Sequence, residues 1–173
     1  MRYRSTAVFI FSMLLPSLAH AAVPRPVDAW SEAVFTLARQ RSAVVRAMVS
    51  ELDGSNVIVH IESSRLLPFG IGGVTRFVTS QGGYRYIRIT LSVWLTPSNR
   101  VAILGHELQH AIELAHADAT DTAALRRLFT SEGAYAVRTD DYFETREAVR
   151  VEKRIRQELK APTTDRANSS ALP

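Results

Sequence analysis

Two histidines four residues apart constrain this chain more than any other feature. They lie in His106-Glu107-Leu108-Gln109-His110, within a segment of helical periodicity. On a helix, positions i and i+4 share a face one turn apart, so both imidazoles can reach a single ion. Glu107 is rotated about 100° from His106, at the edge of that face. From there its carboxylate can act on a water at the metal without ligating the metal itself. Leu104, Leu108, Ala111 and Ala115 make a separate apolar stripe. The chain must therefore fold so that one helix packs its Leu/Ala stripe into a core while its histidines line a cleft. There is no cysteine, which excludes a disulfide scaffold, a Cys-ligated zinc and a thiol nucleophile. Any metal is left to His, Asp and Glu.

The 173 residues suit one domain, and 46% apolar with 22% charged residues describe an ordinary globular chain. Residues 1–21 read as a signal peptide. Arg2 and Arg4 precede the apolar run Ala7–Leu15, and Ala19-His20-Ala21 fits a small-x-small cleavage site. The run is too short to span a membrane, which takes about 20 apolar residues. No membrane anchor is expected once it is removed, and the mature chain is expected to be periplasmic or secreted. Cleavage takes away two arginines and no acid, so the formal charge of +4 falls by two. That removes most of the electrostatic case for nucleic-acid binding. The arginines at 76, 85 and 88 are read instead as a solvated sheet face.

Apolar residues from Trp30 to Leu52 recur at helical spacing and predict one N-terminal helix ended by Asp53-Gly54. Strands are predicted at 56–62, 74–79 and 84–93, with residues 64–73 a loop and Ser80–Gly83 a turn. Thr96 and Pro97 begin the helix that carries the histidines, expected to end near His116. Further helices are expected over about Asp121–Thr130 and Tyr142–Lys160. The expected fold is thus α+β: a single domain over residues 22–160, with a three-stranded sheet, an N-terminal helix, the His106–His110 helix and C-terminal helices. The polar tail 161–173 is expected to be disordered.

A third ligand must come from elsewhere. If the helix continues, His116 points roughly 80° away from His106. Glu113 lies on the histidine face but a full turn beyond His110, placed for a hydrogen bond to that imidazole. Glu144 and Glu147 belong to the last predicted helix, whose stripe is Ala148, Val151, Ile155 and Leu159. On the helical wheel Glu144 falls within that stripe, while Glu147 is about 60° to its side. A carboxylate aimed at the interior needs something positive to receive it. Glu144 is therefore the expected third ligand, and Glu147 a supporting residue.

HELQH, followed on a later helix by a Glu, resembles the gluzincin branch of zinc metallopeptidases. The stretches HELQHAIE and FETREA also resemble short bacterial exported proteins with HELxHAxE and FETxxA segments. The resemblance covers roughly residues 84–160. It implies a zincin-like domain with Zn2+ held by His106, His110 and Glu144, and Glu107 as general base and acid. It further implies hydrolysis of a peptide or protein substrate, held by the strand before the active-site helix, here 84–93. The chain departs from the family's NExxxD segment, since Phe143 precedes Glu144 and Ala148 lies four residues beyond it. No transition-state-stabilising residue stands out; Tyr135 and Tyr142 are the candidates. The alternative is a non-catalytic exported zinc-binding protein. N-terminal sequencing of exported protein is expected to begin at or near Ala22; an intact Met1 in a membrane fraction would instead mean a retained anchor.

Overall fold

The computed structural model describes residues 24–117, 121, 123–124, 127, 135–136 and 143–161. The expected signal peptide, the tail beyond Ala161 and most of the helix expected at 121–130 lie outside them. Among the described residues no helix is long and apolar enough to cross a membrane.

The elements in chain order are β1 (Arg25–Pro26), α1 (Ala29–Arg41), α2 (Ala43–Asp53), β2 (Val57–Ser64), β3 (Gly73–Gln81), β4 (Tyr84–Ser92) and α3 (Pro97–His116). They are followed by β5 (Tyr135–Ala136), β6 (Phe143–Glu144) and α4 (Arg146–Lys160). The class is α+β, with four helices among the described residues. The main sheet has four strands rather than three, in the order β1-β2-β4-β3. β1, β2 and β4 run parallel, and β3 pairs antiparallel with β4 through the Gly82-Gly83 turn. The additional strand is a two-residue edge containing Pro26, too short to show any alternation.

Val57, Val59 and Ile61 of β2 and Ile87, Ile89 and Leu91 of β4 form the inner face of the sheet, all fully buried. α3 lies against this face and touches β2, β3 and β4 as well as all three other helices. Its Leu104, Leu108 and Ala111 are fully buried, as their spacing predicts. Gly105 sits where α4 crosses. A methyl group there would meet the end of the Ile155 side chain, which would have to turn aside.

The expected single N-terminal helix is two. Ser42 interrupts it with extended backbone, serving as C-cap of α1 and N-cap of α2, its hydroxyl accepting from the Val45 N–H. That hydroxyl also donates to Glu158 of α4, and the Val44 N–H reaches the same carboxylate at 3.3 Å. Asp28 caps α1 and bonds the Ser63 N–H of β2 at 2.8 Å. Burial works to raise the Asp28 pKa, but the Ser31 and Ser63 donors outweigh it and hold the carboxyl below its usual range. Those bonds stabilise the fold above that range and are lost as the pH falls through the lowered value.

Two further expectations are corrected. Arg85 is no part of a solvated sheet face. It shares the inward parity of Ile87 and Ile89, is buried, and donates to the carbonyls of Leu114, Ala115 and Ala117 and to Asn56 Oδ1. It thereby caps the C-terminus of α3, where several carbonyls lack helical partners. The last helix begins at Arg146, not Tyr142, because Thr145 is its N-cap and accepts from the Ala148 N–H at 3.1 Å. Arg85→Ala is expected to destabilise the fold by roughly 3 kcal/mol, read as a lower urea midpoint, because buried carbonyls lose a charged donor.

Candidate metal centre

α3 presents His106, Glu107 and His110 from its middle, all three buried. Glu144 arrives from β6, one residue ahead of the α4 cap, so it does not lie on the helical stripe that singled it out. His106, His110 and Glu144 each offer an atom to one cluster whose members lie within 4.8 Å of one another. His106 Nε2 is 3.2 Å from His110 Nε2 and 3.0 Å from Glu144 Oε1.

His106 Nδ1 lies 3.1 Å from Glu152 Oε2, and His110 Nδ1 lies 2.9 Å from Glu113 Oε2. A carboxylate accepts, so each Nδ1 carries a proton, and each Nε2 faces the cluster as the atom that would ligate a metal once it carries none. Glu144 Oε1 is buried and, despite its closeness to His106, receives no aligned hydrogen bond among the described residues. Two imidazole nitrogens and a carboxylate oxygen therefore converge, an arrangement that a positive charge among them stabilises.

The electrostatics agree. Burial opposes a charge on His106, yet Glu144, Glu152 and Glu107 outweigh it and raise its pKa to about 10. The pocket favours a positive charge at that point, which a proton or a divalent cation supplies. The donor set fits zinc: bonds of about 2.0–2.1 Å in tetrahedral array put ligand atoms roughly 3.3 Å apart, against the 3.0 and 3.2 Å found. A three-member His/His/Glu cluster is also the number that leaves a fourth position for water or substrate.

Supporting bonds extend outward in two chains. Glu113 Oε1 accepts from the Thr145 hydroxyl at 2.7 Å, tying His110 to the residue beside Glu144. Glu152 Oε1 accepts from Arg156 at 2.9 Å (Nε) and 2.6 Å (Nη2), and Arg156 donates onward to Asn99 Oδ1 at 2.6 Å. Glu113 thus takes the place expected of it. Glu147 does not: it is largely exposed and paired with Arg150 at 3.0 Å. His116 points away and pairs with Glu51 at 2.8 Å. Sequence reasoning missed Glu152 and Thr145. Both left signals: Glu152 lies four residues past the core-facing Ala148 and four before Arg156, and Thr145 three before Ala148 is an N-cap pattern.

Glu107 stays outside the three-member cluster. Its Oε2 lies 2.8 Å from the Thr75 hydroxyl of β3. Burial raises its pKa above the usual carboxylate range, more than His110, His106 and the Thr75 bond lower it. Where β3 crosses this carboxylate, Gly73 leaves the room. A methyl group there would lie 2.7 Å from Glu107 Oε1 and 2.8 Å from Ile103 Cγ2. β4, expected to hold a substrate, is the wrong strand, because it is paired on both sides by β2 and β3. β3 is the edge strand next to the site. Tyr142 lies outside the described residues, and Tyr135 is described only as part of β5.

No protein-family model, curated protein or solved structure matches this chain. Glu113→Ala and Glu152→Ala are each expected to weaken zinc binding 10–100-fold in a chelator competition, the range typical of such supporting carboxylates. Glu144→Ala should weaken it further and lower Tm, while His116→Ala should leave it unchanged. Metal loss in His116→Ala with retention in Glu144→Ala would overturn the assignment.

Proposed function

We propose that this chain is an exported zinc metallopeptidase of the gluzincin type, built as a minimal zincin-like domain. The observation that carries the reading is the division of labour on α3. Two imidazoles that turn Nε2 toward one point join Glu144, while Glu107, one residue along, stays out of the cluster with a raised pKa.

His106, His110 and Glu144 would hold the zinc. When bound, it supplies Lewis acidity toward the scissile carbonyl and the attacking water. Glu107 does the proton work. Its carboxylate accepts the proton of the attacking water and returns it to the leaving nitrogen. A pKa raised by burial brings it closer to neutrality, where one group can both take and release a proton. Thr75 fixes the carboxylate by its bond to Oε2. Glu113 and Glu152 hold the imidazoles by their Nδ1 protons and so keep the ring planes fixed. β3, last in the strand order among the described residues, is the strand along which an extended peptide would lie.

Glu107→Gln keeps size and a hydrogen-bonding oxygen but cannot take a proton. It is expected to bind about one equivalent of zinc while peptide hydrolysis falls by roughly 10²-fold or more. His106→Ala should lose both metal and activity. Zinc-loaded wild type that cleaves nothing in a broad peptide library would leave a non-catalytic zinc-binding protein as the better account.

A further inference from the structure

Asn99, His106 and Glu113 follow one another at intervals of seven residues, two turns each, so they share one face of α3. Each meets a polar side chain of α4 or its cap. Asn99 Oδ1 accepts from Arg156 Nη1 at 2.6 Å, His106 Nδ1 lies 3.1 Å from Glu152 Oε2, and Glu113 Oε1 accepts from the Thr145 hydroxyl at 2.7 Å. As the residue numbers rise along α3 they fall along α4. The two helices therefore run antiparallel, and the contacts form a polar seam beside the packing of Ile155 over Gly105. Two of these contacts bear on the imidazoles, since Glu113 also holds His110. The contact between Arg156 and Asn99 touches neither.

Arg156 is singled out by where it points. Of the six arginines and lysines of α4, the other five are exposed. Arg156 turns into the seam and commits all its nitrogens there: Nε and Nη2 donate to Glu152 Oε1 at 2.9 and 2.6 Å, and Nη1 donates to Asn99. Both donors to Glu152 meet Oε1, which leaves Oε2 as the oxygen facing His106 Nδ1. A glutamate side chain turns about three bonds, and this one is 22% exposed, so solvent is open to it unless it is held. A planar guanidinium makes all these bonds from one rigid frame. The ammonium of a lysine is a single point and cannot serve Asn99 and Glu152 in this arrangement.

We propose that Arg156 is a positioning residue of the zinc centre: clamped to Asn99, it holds Glu152 with Oε2 on His106 and so fixes the plane of that one imidazole. The proposal rests on the zinc reading of the cluster, not on peptide hydrolysis. Its consequence is that the two imidazoles are held independently. His106 depends on Glu152, Arg156 and Asn99, while His110 depends on Glu113 and Thr145. Freeing Glu152 loosens one zinc ligand and leaves the other arm intact.

Arg156→Lys keeps the charge and loses the planar frame, so it separates positioning from electrostatics. In the full chain it is expected to weaken zinc binding about 10-fold in a chelator competition, the low end of the range for outer partners of a metal site. Asn99→Ala should act in the same direction by less, and Lys153→Ala, on the exposed face of α4, should leave binding unchanged. The deciding measurement is a cycle with the two carboxylates. With Glu152→Ala already present, Arg156→Lys should cost nothing further; with Glu113→Ala present, it should cost its full factor. Cobalt(II) bound in place of zinc reports ligand geometry through its visible absorption, which should change in Arg156→Lys. A purely structural role would lower Tm and zinc affinity alike in both backgrounds and keep the wild-type cobalt spectrum. That outcome overturns the proposal, as does wild-type zinc affinity in Arg156→Lys. Wild type that binds no zinc would overturn it together with the zinc reading. Failure of the peptidase reading is separate, since it shows as absent hydrolysis by zinc-loaded wild type, which none of these measurements uses.

Discussion

Burying His106, Glu107 and His110 in the middle of α3 carries a free-energy cost that only partners can offset, and much of the surrounding structure supplies them. β3 contributes the Thr75 hydroxyl and the gap at Gly73. α4 brings Glu152 across the close contact at Gly105. The turn before α4 brings Glu144 and Thr145, and α3 itself provides Glu113. At the far end Arg85 satisfies the last carbonyls of the same helix. A helix with so polar a centre stays buried because sheet and C-terminal helix complete it from opposite sides.

Around the two imidazoles stand four carboxylates, Glu107, Glu113, Glu144 and Glu152, with Arg156 as the cation in hydrogen-bond contact with one of them. This excess of negative charge is what raises His106 against its burial. It also makes the site's affinity for protons and for a divalent cation two sides of one balance. A bound cation would stabilise the folded state by mass action, and the gain would reach α4 directly, because Glu144 and Thr145 are consecutive residues joining the cluster to the helix cap.

Local features were legible in the sequence. The helix of residues 97–116 follows from Thr96, Pro97 and its Leu/Ala stripe, and the strand cores follow from alternation. Glu144 was reached by a wheel argument that does not apply, since Thr145 stops the helix short of it. The residue still belongs to the cluster, because an interior carboxylate needs a positive partner whether it sits in helix or strand. What stayed hidden depends on distant partners. Pro26 forms an edge strand only because β2 is there to pair with it. Ser42 breaks a helix whose apolar spacing reads as continuous, because Glu158 receives it. Arg85 reads as one of several basic residues on a strand until the end of α3 is placed beside it. The sheet order, which among the described residues puts β3 rather than β4 on the outside, is likewise a matter of topology that no short window contains.

The Ser42–Glu158 bond joins residues 116 positions apart, and Glu152 meets His106 across 46. Contacts of this range form late, because the chain closes large loops before they repay the entropy. A chain threaded through a narrow channel N-terminus first would lack α4 until nearly its whole length had passed. Until then it has no closed corner at Ser42 and no partner for the His106 imidazole. In any such passage the charged centre would be completed only once α4 becomes available to it.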